Sequence, residues 1–382
     1  MTARSLILAT VALALPAKAA EKLDAAKLDR IADAVQAAVK KGDCPGAVVL
    51  VFHGDEVVYR TVFGNGQLSP GPKPMAVDGV FDMASLTKPV ATATAIMLLH
   101  ERGKIAFADP VAKHWPEFAA NGKEKVTVEQ LLVHTSGLLA DNAVADYRMG
   151  KAEALKRIAA LKLEQPPGEK FKYSDVGFIT LGVVVEKITG ESLDAFTSKN
   201  IFEPLGMKDS GFLPSKELQA RAVPTAKVGD EWLQGRVHDP RASALGGVAG
   251  HAGLFSTADD MAIYAKMLLN GGKHAGKPFL SEKSVAAMTE PLTVPGGARS
   301  RGWDVDTAYS APRGTLFGKR DGFGHTGFTG TSLWVDRPSQ TAVIILASRL
   351  QISEKAQVTA LRRQIADIVA EAVGKTPAPK SP

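Results

Sequence analysis

The pattern of apolar residues changes from helical to strand spacing within the first 63 positions. Residues 22–41 carry apolar side chains three or four positions apart, which predicts an amphipathic helix that ends at Gly42. The apolar positions of this helix are Leu28, Ile31, Val35 and Val39. Two β-branched runs follow at 47–52 and 57–63, and the turn residues 53–56 separate them. This arrangement predicts an antiparallel hairpin.

Helical patterns dominate the middle of the chain, and strand patterns return near its end. Turn residues rich in Pro and Gly separate the predicted helices. The helices are predicted over residues 86–102, 127–134, 150–162, 176–188, 192–200 and 258–270. Strands are predicted over 327–335 and 341–348, and a last amphipathic helix over 354–373.

The order of elements predicts an α+β fold in which an antiparallel sheet is covered by the N- and C-terminal helices. A mostly helical lobe is inserted beside the sheet, and a cleft is expected between the two lobes. We expect one catalytic unit over residues 20–375. Its sheet lobe comprises residues 20–80 and 296–375, and its helical lobe comprises residues 81–295.

The first 19 residues have the pattern of a signal peptide. Arg4 is followed by an apolar stretch over 6–15 and by Ala17-Lys18-Ala19, a small-x-small cleavage site. The chain is therefore expected to be exported, either to the periplasm or out of the cell. After this segment no run approaches the ~20 apolar residues of a spanning helix, so no stable membrane insertion is expected. Residues 376–382 are expected to form a disordered tail.

The amino-acid composition argues against several classes of function. Of the 382 residues 45% are hydrophobic and 23% charged, as is typical of a globular protein. Cys44 is the only cysteine, which excludes an intramolecular disulfide and a cysteine-based zinc cluster. The formal net charge is +6, and the basic residues are interspersed with acidic ones along the chain. This pattern does not favour nucleic acid as a partner.

Ser85 and Lys88 form a Ser-x-x-Lys pair at the start of a predicted helix. Residues three positions apart share a helix face, so the ammonium can lie beside the hydroxyl. Burial in a cleft lowers the pKa of a lysine, which would allow Lys88 to act as a base. The helix start also offers free N–H groups to a developing oxyanion. By itself the pair is a weak signal and is more typical of a helix cap followed by a solvated lysine.

Two further segments strengthen the catalytic interpretation. Tyr173 and Asp175 lie at a turn before a predicted helix, and His325-Thr326-Gly327 opens a predicted strand. Penicillin-binding proteins and β-lactamases carry Ser-x-x-Lys, a second polar triplet and Lys-Thr-Gly in that order. This chain has a counterpart of each of the three motifs, and the three follow one another in the same order.

On these motifs the sequence resembles the class C β-lactamase-like serine hydrolases, which include D-alanyl-D-alanine carboxypeptidases and family VIII esterases. The resemblance covers almost all of residues 20–375 and implies a β-lactamase/transpeptidase-like fold. Some members of the branch that this chain resembles process cell-wall muropeptides. The segments that carry the resemblance include FDMASLTK, LLVHTSGL, PPGEKFKYSDVGFITLG, GGVAGHAGLFSTADDMA and GHTGFTGTSLWVD.

The resemblance implies a role for each matching residue. Ser85 would be the acylated nucleophile, Lys88 its activating partner, and Tyr173 the group that relays a proton to and from the leaving group. A nearby ammonium would favour the Tyr173 phenolate. The oxyanion hole would consist of the Ser85 and Phe328 N–H groups. No metal and no cofactor are expected.

Two of the positions expected to bind substrate depart from the family pattern. Asp175 stands where β-lactamases have asparagine, and an ionised carboxylate cannot donate to a substrate carbonyl. Asp175 could instead pair with Lys88. His325 stands where many members have lysine, which weakens the preference for anionic substrates. We expect His325 to gain a proton below about pH 6.5 and then to attract substrate carboxylates. Thr326 and Gly327 complete this strand.

The remaining histidine and glycine motifs have structural interpretations. His134 is predicted to make a structural hydrogen bond near a turn. His238, Asp239 and His251 could be imagined as metal ligands, but loop capping and packing explain them better because helix-spaced histidine pairs are missing. The glycine-rich residues 245–253 are expected to shape the rim of the cleft.

The function that follows is an exported serine hydrolase that cleaves an ester or amide through an acyl-enzyme on Ser85. Its substrate would be a small-molecule ester or amide, or a cell-wall peptide. A carboxylesterase and a cell-wall peptide amidase or D,D-peptidase both stay open. The alternatives are a weak class C β-lactamase and a non-catalytic protein that binds β-lactams or cell wall.

Overall fold

The computed structural model of the protein describes residues 23–318 and 320–375. The predicted signal peptide over 1–19 and the predicted tail over 376–382 lie outside these residues. In the part of the chain that is described, no helix is both long enough and apolar enough to cross a membrane.

Nine strands of the described residues form one antiparallel sheet in the order β10-β11-β12-β13-β14-β15-β1-β2-β3. These strands are β1 (Gly46–His53), β2 (Glu56–Gln67), β3 (Lys73–Pro74), β10 (Leu292–Val294), β11 (Gly297–Arg299), β12 (Asp304–Asp306), β13 (Gly322–Thr326), β14 (Ser332–Asp336) and β15 (Thr341–Ala347). Short pairs are formed by β4 (Phe81–Asp82) with β7 (Phe255–Ser256), β5 (Lys227–Val228) with β6 (Glu231–Trp232), and β8 (Lys273–His274) with β9 (Lys277–Pro278). Because β1 pairs with β15, the first and last long strands lie side by side in the sheet.

Thirteen α-helices in the described residues cover the sheet or connect its strands. They are α1 (Arg30–Lys41), α2 (Thr94–Glu101), α3 (Val111–His114), α4 (Val128–Leu132), α5 (Lys151–Ala159), α6 (Asp175–Thr189), α7 (Leu193–Thr197), α8 (Glu203–Leu205), α9 (Lys216–Arg221), α10 (Pro240–Ala244), α11 (Ala258–Leu269), α12 (Glu282–Thr289) and α13 (Thr359–Ala372). Shorter helical turns include Ala25–Asp29, Ala84–Leu86 and Arg349–Gln351, and a π-helical turn over Lys88–Ala93 leads into α2.

Alternate residues of the central strands enter two different cores. Val49 and Ile345 pack with the terminal helices α1 and α13 on one face of the sheet. Val48 and Ile344 face the other way and pack against the inserted helices, α11 and α6 among them. The predicted α+β fold, with a sheet flanked by terminal helices and an inserted helical lobe, is therefore confirmed.

The ends of several elements differ from the sequence predictions. The strand predicted over 327–335 begins only at Ser332, because Gly327 N–H donates to Thr331 O at 2.7 Å and closes a turn. His325 accordingly lies near the end of β13, which the sequence did not reveal as a separate strand. The last helix begins at Thr359 rather than at 354. Gly42, with φ of +83°, ends α1 as predicted.

Candidate active site

Ser85 lies on a sharp turn between β4 and the π-helical turn that leads into α2. Ala84 has a φ of +47°, a conformation that L-residues seldom adopt. The turn is held because the Ala84 N–H donates to Asp82 Oδ1 at 2.8 Å and Thr87 Oγ1 donates to Ala84 O at 2.6 Å. This geometry leaves Ser85 partly exposed at the edge of a cavity of about 380 Å³.

Lys88 is fully buried behind Ser85, and three oxygen atoms surround its ammonium group. Lys88 Nζ lies 3.0 Å from Ser85 Oγ, 3.1 Å from the His251 carbonyl oxygen and 2.6 Å from Asp175 Oδ1. The ring centroid of Tyr173 is 4.9 Å from the same nitrogen. The structure therefore brings Ser85, Lys88, Tyr173 and Asp175 into one cluster.

Tyr173 and Asp175 are positioned by the start of α6. Ser174 caps this helix, since its hydroxyl oxygen accepts from the Gly177 N–H at 3.0 Å. His134 Nδ1 accepts from the Ser174 N–H at 3.1 Å, and its ring stacks on Tyr173 with centroids 4.4 Å apart. The structural hydrogen bond predicted for His134 is confirmed.

The proton affinities of the cluster differ from the sequence expectation. Burial lowers the pKa of Lys88, but the Asp175 carboxylate and Tyr173 outweigh burial, and the net pKa is raised. Burial raises the pKa of Tyr173, and the nearby Lys88 ammonium lowers it only in part. The expectation that burial leaves Lys88 with a lowered pKa was wrong, because Asp175 and Tyr173 stabilise its ammonium form. The Lys88 ammonium does favour the Tyr173 phenolate as expected, but burial raises the pKa of Tyr173 by more.

The surroundings of His325 disfavour its protonated form. Its side chain is buried beside Tyr173, and its Nδ1 lies 2.8 Å from the Thr326 carbonyl oxygen. Burial, followed by the positive charges of Arg299 and Lys88, lowers the pKa of His325 well below 6.5. The expectation that it gains a proton below about pH 6.5 was wrong.

The loop after His325 carries the backbone N–H group assigned to the oxyanion hole. Within the described residues the Phe328 N–H donates to no acceptor, whereas its carbonyl oxygen accepts from Arg349 Nε at 2.7 Å. Arg362 Nη2 donates to the Gly327 and Thr331 carbonyl oxygens at 3.2 and 2.7 Å. The two arginines thus bind three carbonyl oxygens of this loop.

Further contacts tie this loop to the turn that carries Ser85. Thr329 Oγ1 donates to Asp82 O at 2.7 Å, and Thr331 Oγ1 to Met83 O at 3.2 Å. A Cβ atom at Gly327 would lie 2.6 Å from Met83 O, so only glycine fits between the two segments. Thr326 and Gly327 line the cavity together with Ser85 and Phe328.

Sequence reasoning missed several residues around the cavity. Arg299, Asp304, Tyr309, Arg349 and Arg362 line it. They come from β11, β12, a loop, the helical turn Arg349–Gln351 and α13. Arg299 is fully buried and pairs with Asp304 at 3.3 Å. These positions carry no motif, and distant strands and helices bring them together, so local spacing held no signal for them.

Two of the three residues considered as metal ligands, Asp239 and His251, lie beside Asp175, and the third, His238, is not part of that group. Asp175, Asp239 and His251 offer ligand atoms within 4.8 Å of one another, which could hold a cation. Their charges already have protein partners, because Lys88 contacts Asp175 and His251 Nε2 lies 2.8 Å from Asp239 Oδ1. His238 lies apart, with its ring stacked on Phe328. Asp239 caps α10, as the loop-capping interpretation predicted.

This fold, with a serine at a sharp turn beside a buried lysine, defines a serine hydrolase of the β-lactamase-related class. The Beta-lactamase family model matches residues 31–367, and the chain belongs to that family. A protein of Escherichia coli O157:H7 named "Putative D-alanyl-D-alanine carboxypeptidase" is 32% identical over 343 residues, which cover 80% of this chain and 78% of the relative.

Two solved structures show the same fold at lower identity. A family VIII carboxylesterase has a TM-score of 0.71 at 23% identity and covers 91% of this chain and 97% of its own. A class C β-lactamase from Rhodobacter sphaeroides has a TM-score of 0.71 at 19% identity and covers 90% of this chain and 99% of its own. The resemblance drawn from the sequence motifs is confirmed.

Proposed function

We propose that the protein hydrolyses an ester or amide in two steps through an acyl-enzyme on Ser85. The observation that carries the proposal is the 3.0 Å contact between Ser85 Oγ and the buried Lys88 Nζ, beside Tyr173. A serine hydroxyl is a weak nucleophile until a neighbouring group accepts its proton. Lys88 and Tyr173 are the groups placed to handle that proton.

Before the first step Lys88 or Tyr173 loses one proton to solvent base. That deprotonated group takes the Ser85 proton while Ser85 Oγ attacks the substrate carbonyl carbon. The free Phe328 N–H and the Ser85 N–H would stabilise the negative charge that develops on the carbonyl oxygen. Tyr173 then delivers a proton to the leaving alcohol or amine. In the second step water attacks the acyl-enzyme with the same proton transfers, and the acid product leaves Ser85.

The cavity favours a carboxylesterase with a neutral, partly aromatic substrate. Phe328 and Tyr309 line it while each stays 54% exposed, so two aromatic side chains offer apolar surface to a substrate. Phe328 is held in place by stacking on His238 and by the Arg349 guanidinium 4.4 Å from its ring. Neutral His325 adds no charge for a substrate carboxylate.

A cell-wall D,D-carboxypeptidase is the second candidate. It is favoured by the name of the E. coli relative at 32% identity. Such a substrate ends in a carboxylate, and the cavity-lining Arg349 and Arg362 would supply positive charge to it. We also propose that the hydrolase acts outside the cytoplasm, a proposal supported by the signal-peptide pattern of residues 1–19.

The mechanism is tested by intact-mass measurement after brief exposure to a fluorophosphonate, together with a burst assay on a nitrophenyl ester. Wild type should gain one adduct and show a burst, whereas Ser85→Ala should show neither. Losses for nucleophiles in comparable hydrolases reach roughly a millionfold. Exposed Ser353 provides a matched control, because Ser353→Ala should behave as wild type. Labelling without turnover would favour a non-catalytic binding protein.

The substrate class is tested by comparing kcat/KM for three compounds on one enzyme preparation. An aryl ester, a peptide ending in D-Ala-D-Ala and a chromogenic cephalosporin represent the esterase, the peptidase and the β-lactamase. We expect the aryl ester to have the highest value and to be the substrate most affected by Phe328→Ala. A higher value for the peptide would instead support the carboxypeptidase.

A further inference from the structure

Asp175 and Lys88 form an ion pair at the centre of the site. Asp175 is the first residue of α6, where the positive end of the helix dipole favours a carboxylate. Its Oδ1 lies 2.6 Å from Lys88 Nζ, and its side chain is 20% exposed whereas that of Lys88 is fully buried. The Asp175 N–H donates to Ala140 O at 2.9 Å, which anchors the backbone beneath the carboxylate.

The surroundings of Lys88 suit an ammonium group. An ammonium has three donors and no acceptor, and three oxygen atoms lie within 3.1 Å of Nζ. The His251 carbonyl and the Asp175 carboxylate can only accept. A neutral amine at this position would leave the carboxylate without its cation.

The other charged groups near Asp175 have partners of their own. Asp239 pairs with His251 at 2.8 Å, and Arg241 lies 3.4 Å from Asp141. Tyr173 faces Lys88 from the chain segment before α6. Lys88 and Asp175 are thus in direct contact with each other. His134 and His325 lie beside the Tyr173 ring, and Arg299 is the further charged group near Tyr173.

We propose that Asp175 is a positioning residue that holds Lys88 as an ammonium in the resting hydrolase. As a result, activation of Ser85 requires a pH above neutrality. The inference rests on the proposed function, in which Lys88 and Tyr173 handle the Ser85 proton. Before attack, one proton must leave Lys88 or Tyr173 for solvent base. The deprotonated partner then takes the Ser85 proton while the bond from Oγ to the substrate carbon forms.

Removal of the Asp175 charge shifts the pH profile in the same direction whether Lys88 or Tyr173 loses the proton. Burial lowers the pKa of Lys88, and Asp175 and Tyr173 together raise it by more than burial lowers it, so loss of the Asp175 charge lowers it. Burial raises the pKa of Tyr173, and the Asp175 charge adds to that rise against the opposing effect of Lys88. Removing the carboxylate charge therefore moves the ionisation of either group to lower pH.

The first experiment compares the pH dependence of kcat/KM on a neutral nitrophenyl ester for wild type, Asp175→Asn, Asp175→Glu and Asp141→Asn. Wild-type activity should rise with pH above neutrality. In Asp175→Asn this rise should move to lower pH by about one unit or more, because a unit charge next to a titrating group has an effect of that order. Asp175→Glu should keep the wild-type profile.

Asp141→Asn is the matched control because it removes a nearby carboxylate that pairs with Arg241 and does not contact Lys88. Its profile should match that of wild type. An unmoved profile in Asp175→Asn, or an equal shift in Asp141→Asn, would overturn the inference.

A second readout is independent of turnover and of the behaviour of the variant. In protein labelled with ¹⁵N-lysine, the Lys88 resonance, assigned with Lys88→Met, should remain that of an ammonium beyond the pH at which an ordinary lysine titrates. A neutral Lys88 near pH 7 in wild type would refute the inference even if Asp175→Asn failed to fold. An ammonium Lys88 in a protein whose Ser85 takes no label would instead refute the proposed function and leave the ion pair in place.

Discussion

Lys88 and Tyr173 handle one proton as a unit in the proposed mechanism. We expect Lys88→Ala and Tyr173→Phe each to lower kcat by roughly 100- to 10,000-fold, the range for general acid–base groups. The double variant should be little worse than either single one, because removing one member of a relay already disables it. Single-turnover kinetics of the three variants measure the coupling. Additive losses in the double variant would show that the two residues act in separate steps.

His325 is expected to remain neutral throughout the working pH range. Burial and the nearby Arg299 and Lys88 charges hold its pKa well below 6.5. A neutral His325 is therefore not expected to distinguish acidic from neutral substrates. Two esters of one alcohol, one with an acidic and one with a neutral acyl group, should therefore show parallel pH profiles of KM. His325→Gln should leave those profiles parallel. Tighter binding of the acidic ester below about pH 6, lost in His325→Gln, would show a protonated histidine.

The glycine-rich loop and α6 touch at their backbones, and this contact presents the His251 carbonyl to Lys88. A Cβ atom at Gly250 would overlap the Phe178 carbonyl oxygen of α6 and lie 2.9 Å from Gly182 N. We expect Gly250→Ala to lower the free energy of unfolding by about 1–3 kcal/mol and to lower kcat. The loop must move away from α6, which shifts the His251 carbonyl that contacts Lys88. Chemical denaturation and steady-state kinetics measure the two effects.

Gly211→Ala is the control for this loop, because a Cβ there meets no atom within 4 Å and its φ is not positive. It should leave stability and activity close to wild type. A stable Gly250→Ala variant with full kcat would mean that the contact between loop and helix does not position the site.

The two terminal helices and the central strands connect both ends of the described chain in one core. Ile365 of α13 is fully buried in the core that also contains α1, β1 and β15. We expect Ile365→Ala to lower the free energy of unfolding by about 2–5 kcal/mol. Tryptophan fluorescence and circular dichroism should report one shared transition. The exposed neighbour Arg363 is the control, and separate transitions for sheet and helices would contradict a single cooperative unit.

At the scale of the whole molecule, local sequence patterns determined most of the long elements. Helical spacing located α1 and α6, and the β-branched runs around residues 53–56 located the β1–β2 hairpin, because these patterns depend on neighbours a few positions apart. The short strands β10 to β12 escaped prediction. Each has three residues, too few to show a periodicity, and each exists because of pairing with the next strand.

In the candidate site too, some residues could be predicted from local sequence, whereas other features depend on the tertiary structure. Spacing alone placed Ser85 and Lys88 on one helix face, and motif order added Tyr173 and His325. The tertiary structure decided that Asp175 neutralises Lys88, that His325 is buried beside Arg299, and that α13 supplies Arg362 to the loop of Phe328. Proton affinity and hydrogen bonding depend on burial and on charges from distant segments, and the fold alone brings those segments together.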